Sequence, residues 1–172
     1  MGCYSCRYKG DLKNSRIKIY PYKESGLPNV FLVNVPAVKC PQCGVEIPDI
    51  VHPEKLHEMI AESIVRKKFL LNAHELRFVR TQLGYSQTDF ANKINFNNSH
   101  LNRVENEKES VSDELDRLVR VFYLKERGTP KRSYEALHNA LEEAISKKDT
   151  GEQSYRYRLK SEGKSWNLEK AA

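Results

Sequence analysis

Hydrophobic residues repeat at every second position near the start of the chain. Ile17 and Ile19 alternate with basic or polar neighbours, and a Val-rich run occupies 30–35. Period-two alternation and β-branched residues are typical of strands, and the turn-rich stretch between the two runs suits their connection. The pattern predicts a small antiparallel β domain over residues 1–52.

After this domain the period becomes that of a helix. Leu56, Ile60 and Ile64 are spaced four residues apart, which predicts a linker helix over 53–71. Its end carries the basic triplet 66–68, where cations suit the helix dipole. Two interpretations of the triplet remain open at this point: a solvated helix end and a contact with phosphates.

Residues 72–128 show a pattern of five short helices and predict an all-α domain. A first helix would stop at Gly84, Ser86 is a good N-cap for a second, and Asn97 can cap a third. The apolar residues of 111–122 supply a closing helix, and a short final piece precedes the end of the domain.

Two further segments complete the chain. Thr129 and Pro130 open an amphipathic helix over 129–149, which either packs on the preceding domain or serves as a dimer or partner helix. Residues 150–172 mix aromatic and basic side chains in a polar stretch, and we expect a flexible tail that is disordered when free. A solvated tail, a grip on nucleic acid and folding on a protein partner are the alternatives for its role.

All four cysteines fall in two Cys-x-x-Cys pairs, Cys3 with Cys6 and Cys40 with Cys43. Such a turn aims two sulfurs at one ion, and a second turn completes the tetrahedron of a closed zinc site. We predict one structural Zn²⁺ ion, because so small a domain needs a metal or disulfides. A disulfide pair lacks a secretory context, and a redox pair explains one motif alone. His52, near the second pair, is not needed as a ligand.

Composition limits the function classes. The chain has 172 residues and a net charge of +6, a mild excess that suits an anionic partner without indicating nucleic acid by itself. No stretch approaches the length of a transmembrane helix, so we expect no membrane partner. The sequence offers no convergent Ser, His and Asp set, no phosphate-cradling glycine loop and no open metal site, so we do not expect an enzyme.

A family resemblance lies within residues 76–108. The pattern Leu76-Arg77…Arg80…Gly84-Tyr85-Ser86-Gln87…Phe90-Ala91…Ile94-Asn95-Phe96-Asn97…Leu101-Asn102-Arg103-Val104-Glu105-Asn106…Lys108 resembles the XRE helix-turn-helix, the fold of the lambda and Cro repressors. The sequence departs from that pattern at two positions. Asn95 stands where the family usually has glycine, which Asn tolerates because it adopts the left-handed region readily. Glu107 replaces the usual glycine after Asn106.

The resemblance implies that the third helix enters the major groove of double-stranded operator DNA. Arg103 would read guanine, with pairing to a nearby carboxylate as the alternative, and Asn97 is either a DNA contact or only a cap. Glu105 is expected to be a structural partner for an arginine such as Arg80. The expected DNA-contacting residues are Gln87, Asn97, Asn98, Ser99, His100, Asn102, Arg103 and Lys108. Since one module reads a half-site, we expect a homodimer on a palindromic operator with half-sites ~34 Å apart or a multiple of that.

The order of the modules resembles the MqsA-type antitoxins, in which a YgiT-type zinc finger domain precedes an XRE domain. The resemblance covers about residues 1–125. It implies a two-domain protein, a zinc-clamped antiparallel β domain followed by an all-α helix-turn-helix domain. It also implies a cytoplasmic prokaryotic autorepressor that is the antitoxin of a type II toxin–antitoxin system and holds a toxin through its zinc domain. The alternative is a mobile-element or phage-type repressor that carries a zinc domain and has no toxin partner.

Overall fold

The computed structural model of the protein describes residues 2–128, 156–163 and 165–169. The chain forms two compact units, one combining Met1–His57 with Ser154–Ala172 and the other comprising Glu58–Gln153. We call them the sheet unit and the helical unit. The predicted helix over 129–149 lies outside the described residues. No helix in the described part of the chain has both the length and the apolar character needed to cross a lipid bilayer.

The sheet unit is built on a mixed five-stranded sheet. Its strands are β1 (Lys13–Pro21), β2 (Val30–Lys39), β3 (Glu46–Pro48), β4 (Tyr157–Glu162) and β5 (Ser165–Glu169). Strands β1, β2, β4 and β5 are neighbours in that order, and β3 pairs with the C-terminal end of β2. The predicted antiparallel arrangement is confirmed for β1, β2 and β3. Strand β4 instead runs parallel to β2, with Tyr157 opposite Val30.

The prediction of a disordered tail over 150–172 is wrong for the residues that form β4 and β5. Tyr157 and Leu159 are buried on one face of the sheet while Arg158 between them is exposed. Trp166 of β5 is buried as well, and its indole Nε1 donates to the carbonyl oxygen of Val51 at 2.7 Å. The aromatic and basic alternation is therefore the period of a half-buried hairpin. The β domain predicted over 1–52 gains this hairpin and extends to His57.

The helical elements are α1 (Pro53–Arg66), α2 (Ala73–Gln82), α3 (Gln87–Lys93), α4 (Asn98–Glu105) and α5 (Asp113–Arg127). The linker helix ends at Arg66, five residues earlier than predicted. Residues 72–128 hold four helices and not five, because the expected closing helix and final piece are one continuous α5. The core of these four helices is apolar and fully buried, with Leu76, Val79, Phe90, Leu101, Val104, Leu115 and Val119 at its centre.

A buried polar cluster holds the connection between α1 and α2. Arg120 of α5 pairs with Asp116 and donates to the carbonyl oxygens of Val65, Lys67 and Phe69 at 2.6, 2.8 and 2.7 Å. The ammonium group of Lys67 is buried against the carboxylate of Glu75. Burial lowers the pKa of Lys67, and the nearby charge of Glu75 opposes that shift. Lys67 is thus neither a solvated helix end nor an accessible phosphate contact.

Candidate metal centre and candidate nucleic-acid interface

The four cysteines of the sheet unit meet at one point. One pair precedes β1 and the other follows β2, and the antiparallel register, which sets Lys13 opposite Lys39, brings the two pairs together. The sulfur of Cys3 lies 3.7 Å from that of Cys43, and the sulfur of Cys6 lies 3.6 Å from that of Cys40. All four sulfurs lie within 4.8 Å of one another, so the predicted ligand set is assembled.

The two Cys-x-x-Cys segments have the same local backbone. The N–H of Cys3 donates to the carbonyl oxygen of Tyr8 at 2.8 Å, and the N–H of Cys40 donates to that of Val45 at 2.9 Å. The residue after the second cysteine of each segment adopts a left-handed conformation, with φ of 59° at Arg7 and 75° at Gly44. Glycine suits that conformation and arginine does not, so the first turn carries strain that the second avoids.

The spacing of the sulfurs fits a tetrahedral metal centre. Four thiolates each about 2.3 Å from a zinc ion would lie roughly 3.8 Å from one another. The distances of 3.7 Å between Cys3 and Cys43 and 3.6 Å between Cys6 and Cys40 agree with that value, whereas a disulfide requires about 2.05 Å. His52 is not part of the cluster, and its Nδ1 instead lies 3.3 Å from a carboxylate oxygen of Glu54.

The surroundings of Cys40 and Cys6 shift the pKa values of these two thiols in opposite directions. Burial opposes ionisation of Cys40, but the backbone N–H groups of Cys43 and Gln42 and the neighbouring thiols outweigh it and lower the pKa of Cys40 to about 7. The backbone N–H of Tyr8 lowers the pKa of Cys6, yet burial and the other three sulfurs together raise it to about 12. The pKa values of these two thiols are thus shifted in opposite directions, and a metal ion that bound the cluster would displace the remaining thiol protons.

In the helical unit, α3 and α4 form a pair joined by a short connection. Ser86 caps α3 by accepting from the N–H of Asp89 at 3.1 Å, and Asn97 caps α4 by accepting from the N–H of His100 at 2.9 Å. Asn95 has a φ of 52° and Glu107 a φ of 58°, so both adopt the left-handed backbone that glycine usually supplies. The predicted N-caps of α3 and α4 are confirmed, and so is the left-handed conformation expected at Asn95.

A buried ion pair ties α4 to α2. Arg80 donates through Nε and Nη2 to the two carboxylate oxygens of Glu105, at 2.6 and 2.8 Å. The amide of Gln87 donates to the same carboxylate at 3.0 Å, and Arg77 donates to the carbonyl oxygen of Glu105 at 2.8 Å. Glu105 is therefore the structural partner of Arg80, as predicted, and the contact of Arg77 with Glu105 is a further one that was not predicted.

The remaining candidates follow the outer side of α4. Asn98, Ser99, Asn102 and Arg103 are exposed, His100 is half-buried, and Leu101 and Val104 face the core. Two of the candidates also contact α3: Asn102 donates to the side-chain oxygen of Gln87 at 2.9 Å, and Asn98 donates to the hydroxyl of Thr88 at 3.3 Å. Lys108 is exposed just beyond the end of α4.

Sequence inspection missed one residue of this surface, Glu109. Its carboxylate accepts from Nε of Arg103 at 2.5 Å and lies 2.9 Å from Nε2 of His100. The alternative in which Arg103 pairs with a nearby carboxylate is thus confirmed for the free protein. No sequence signal marks Glu109, because it lies in the loop after α4. The backbone path of that loop determines which side chains Glu109 contacts.

The comparisons with known proteins leave the family open. No protein-family model matches this chain, and neither a curated protein nor a solved structure matches it.

Proposed function

We propose that the protein is a sequence-specific DNA-binding transcriptional repressor in which α3, its connection and α4 act as a helix-turn-helix of the XRE type. The observation that carries this proposal is the outer side of α4. It displays a row of hydrogen-bonding side chains on a helix whose inner side is fixed by Leu101, Val104 and the Arg80–Glu105 pair. A rigid helix with a polar outer row is what major-groove recognition requires.

Each part of the row has a chemical role in this proposal. The fork of Arg103 matches O6 and N7 of guanine, and the amides of Asn98 and Asn102 can pair with adenine. Gln87 holds Asn102 from the start of α3 and would contact the phosphate backbone, fixing the register of the helix on the duplex. We expect a homodimer that places its two copies of α4 in successive turns of the major groove, on the same face of the duplex.

For the cysteine cluster we propose one structural Zn²⁺ ion. The residues that would hold it are Cys3, Cys6, Cys40 and Cys43, and the sulfur spacing supports tetrahedral coordination. With four thiolate ligands the ion has no open position for a substrate or water, so its chemistry is to cross-link the turns beside β1 and β2.

We further propose that the protein is an antitoxin whose sheet unit binds a toxin protein. The support is the order of a four-cysteine domain and a helix-turn-helix pattern, which resembles the MqsA-type antitoxins. The test is to express the adjacent open reading frame alone and together with this protein, with the C40S/C43S variant as a control that removes the metal centre. Toxicity rescued by a co-purifying complex supports the antitoxin role. A harmless neighbour leaves a repressor without a toxin.

The DNA proposal is tested by enriching sequences from a random duplex library and measuring affinity by fluorescence anisotropy. We expect one palindromic sequence family to be selected. Replacing Arg103 with alanine is expected to weaken binding to that sequence by about 1 to 3 kcal/mol, whereas R158A, which removes the same charge from β4 of the sheet unit, should change it little. Equal affinities of wild type and R103A would contradict base reading by Arg103.

A further inference from the structure

Glu109 joins two side chains on the outer side of α4, Arg103 and His100. One of its carboxylate oxygens accepts from Nε of Arg103 at 2.5 Å, and the other lies 2.9 Å from Nε2 of His100. The imidazole of His100 is in turn packed against the ring of Phe96, with 5.0 Å between the ring centroids. The carboxylate is therefore fixed from two sides, and it fixes the guanidinium.

The atom through which Arg103 contacts Glu109 determines how its guanidinium is oriented. Its hydrogen bond to Glu109 runs through Nε, and the side chain remains 47% exposed. The guanidinium is planar and rigid, so a bond at Nε sets the direction of the two terminal nitrogens. Those terminal nitrogens are the pair of donors that fits O6 and N7 of one guanine.

We propose that Glu109 is a positioning residue for base recognition, which holds the Arg103 fork in the direction that reads guanine. This inference rests on the proposed DNA-binding function. A carboxylate beside the arginine also disfavours the other use of that side chain, a salt bridge to a phosphate, because a phosphate approaching Arg103 would meet the negative charge of Glu109. Glu109 thereby favours sequence reading over non-specific attraction.

A role in which Glu109 only blocks Arg103 predicts a different effect of its removal on DNA binding. If Glu109 only neutralised Arg103 in the free protein, its removal would raise affinity for every duplex to a similar extent. If it positions Arg103, its removal lowers discrimination at one base pair, even when affinity for unrelated DNA rises through the loss of a negative charge.

The experiment compares wild type with E109A, E109Q and R103A on the duplex selected by the wild-type protein and on duplexes that carry each substitution at every base pair. The base pair read by Arg103 is the one whose preference R103A abolishes. E114Q is the matched control, because Glu114 is exposed in the first turn of α5 and its change removes the same charge. Circular dichroism melting checks that each variant folds.

A bidentate arginine–guanine contact discriminates by about 5- to 150-fold. We expect E109A to lose about threefold or more of the discrimination at that base pair, and E109Q to keep most of it because its amide oxygen still accepts from Arg103. The other base pairs should be unaffected, as should all base pairs in E114Q. In an R103A background, E109A should have no further effect on discrimination.

The positioning role would be overturned if E109A discriminated as well as wild type at the base pair read by Arg103, or if its loss of discrimination were spread evenly over all base pairs. Either result would leave the DNA-binding function intact. Failure of the wild-type chain to select any sequence would overturn the proposed function and this role together. The two failures are distinguishable, because the first requires a selected duplex and the second yields none.

Discussion

The ion pair between Arg80 and Glu105 is expected to be a sensitive point of the helical unit. The carboxylate of Glu105 is 1% exposed, and three donors converge on its two oxygens: Nε and Nη2 of Arg80 at 2.6 and 2.8 Å and the amide of Gln87 at 3.0 Å. The substitution E105Q keeps the volume of the side chain and removes the charge. It also replaces one acceptor oxygen with a donor NH₂ group that faces other donors.

The expected loss of stability in E105Q comes from the buried groups that lose their partner. The guanidinium of Arg80 would remain buried without a counter-charge, and at least one of the three donors would lose its acceptor. Breaking a buried pair by removing one partner typically costs about 3 to 5 kcal/mol, because a buried charge is left uncompensated. That is a large share of the roughly 5 to 15 kcal/mol that stabilises a typical folded domain.

Urea unfolding followed by circular dichroism at 222 nm measures this effect. The matched control is E62Q, which breaks the exposed pair between Glu62 and Arg66, an i, i+4 contact at 2.9 Å expected to contribute about 0.5 kcal/mol or less. We expect E105Q to lower the free energy of unfolding by about 3 kcal/mol or more. If the two variants are equally stable, the assignment of Glu105 as the electrostatic anchor of α4 is wrong.

Three further predictions concern the metal, the hairpin and one strained turn. Removing the metal with a chelator should shift the fluorescence of Trp166, the single tryptophan of the chain, towards that of exposed indole while the helical circular dichroism signal persists. W166A should destabilise the sheet unit by about 3 to 5 kcal/mol in urea unfolding at constant metal concentration, whereas L168A, at a side chain 43% exposed, should cost much less. E107G should raise the free energy of unfolding of the helical unit by about 0.5 to 1 kcal/mol, because glycine relieves a φ of 58°; an unchanged or lowered stability would contradict this.

Much of the helical unit could be predicted because its signals are local. Ser86 and Asn97 are N-caps in the sequence and in the structure, since capping depends on residues three positions apart. Asn95 tolerates the left-handed backbone because its short polar side chain can form local hydrogen bonds. The clustering of the four cysteines was equally predictable, because the spacing within each pair restricts the chain to a turn that directs both sulfurs to the same side.

The errors occurred where the decisive contact joins separate segments of the fold and is not marked by a local sequence signal. The hairpin of β4 and β5 is rich in polar and charged residues, and it becomes ordered by pairing with β2, where Tyr157 lies opposite Val30. Lys67 looked solvated because nothing nearby marks the Glu75 carboxylate and the Arg120 network as its surroundings. Glu109 was missed for the same reason, as its link to Arg103 depends on the path of the loop after α4.

The most direct test of the central proposal is dimethyl sulfate footprinting of the selected duplex, which reports whether N7 of each guanine is covered in the major groove. We expect protected guanines in two clusters about 10 base pairs apart or a multiple of that distance, and the loss of one protected guanine in each cluster with R103A. A duplex that is bound without any protection of guanine N7, or a pattern that R103A leaves unchanged, would contradict DNA recognition through α4.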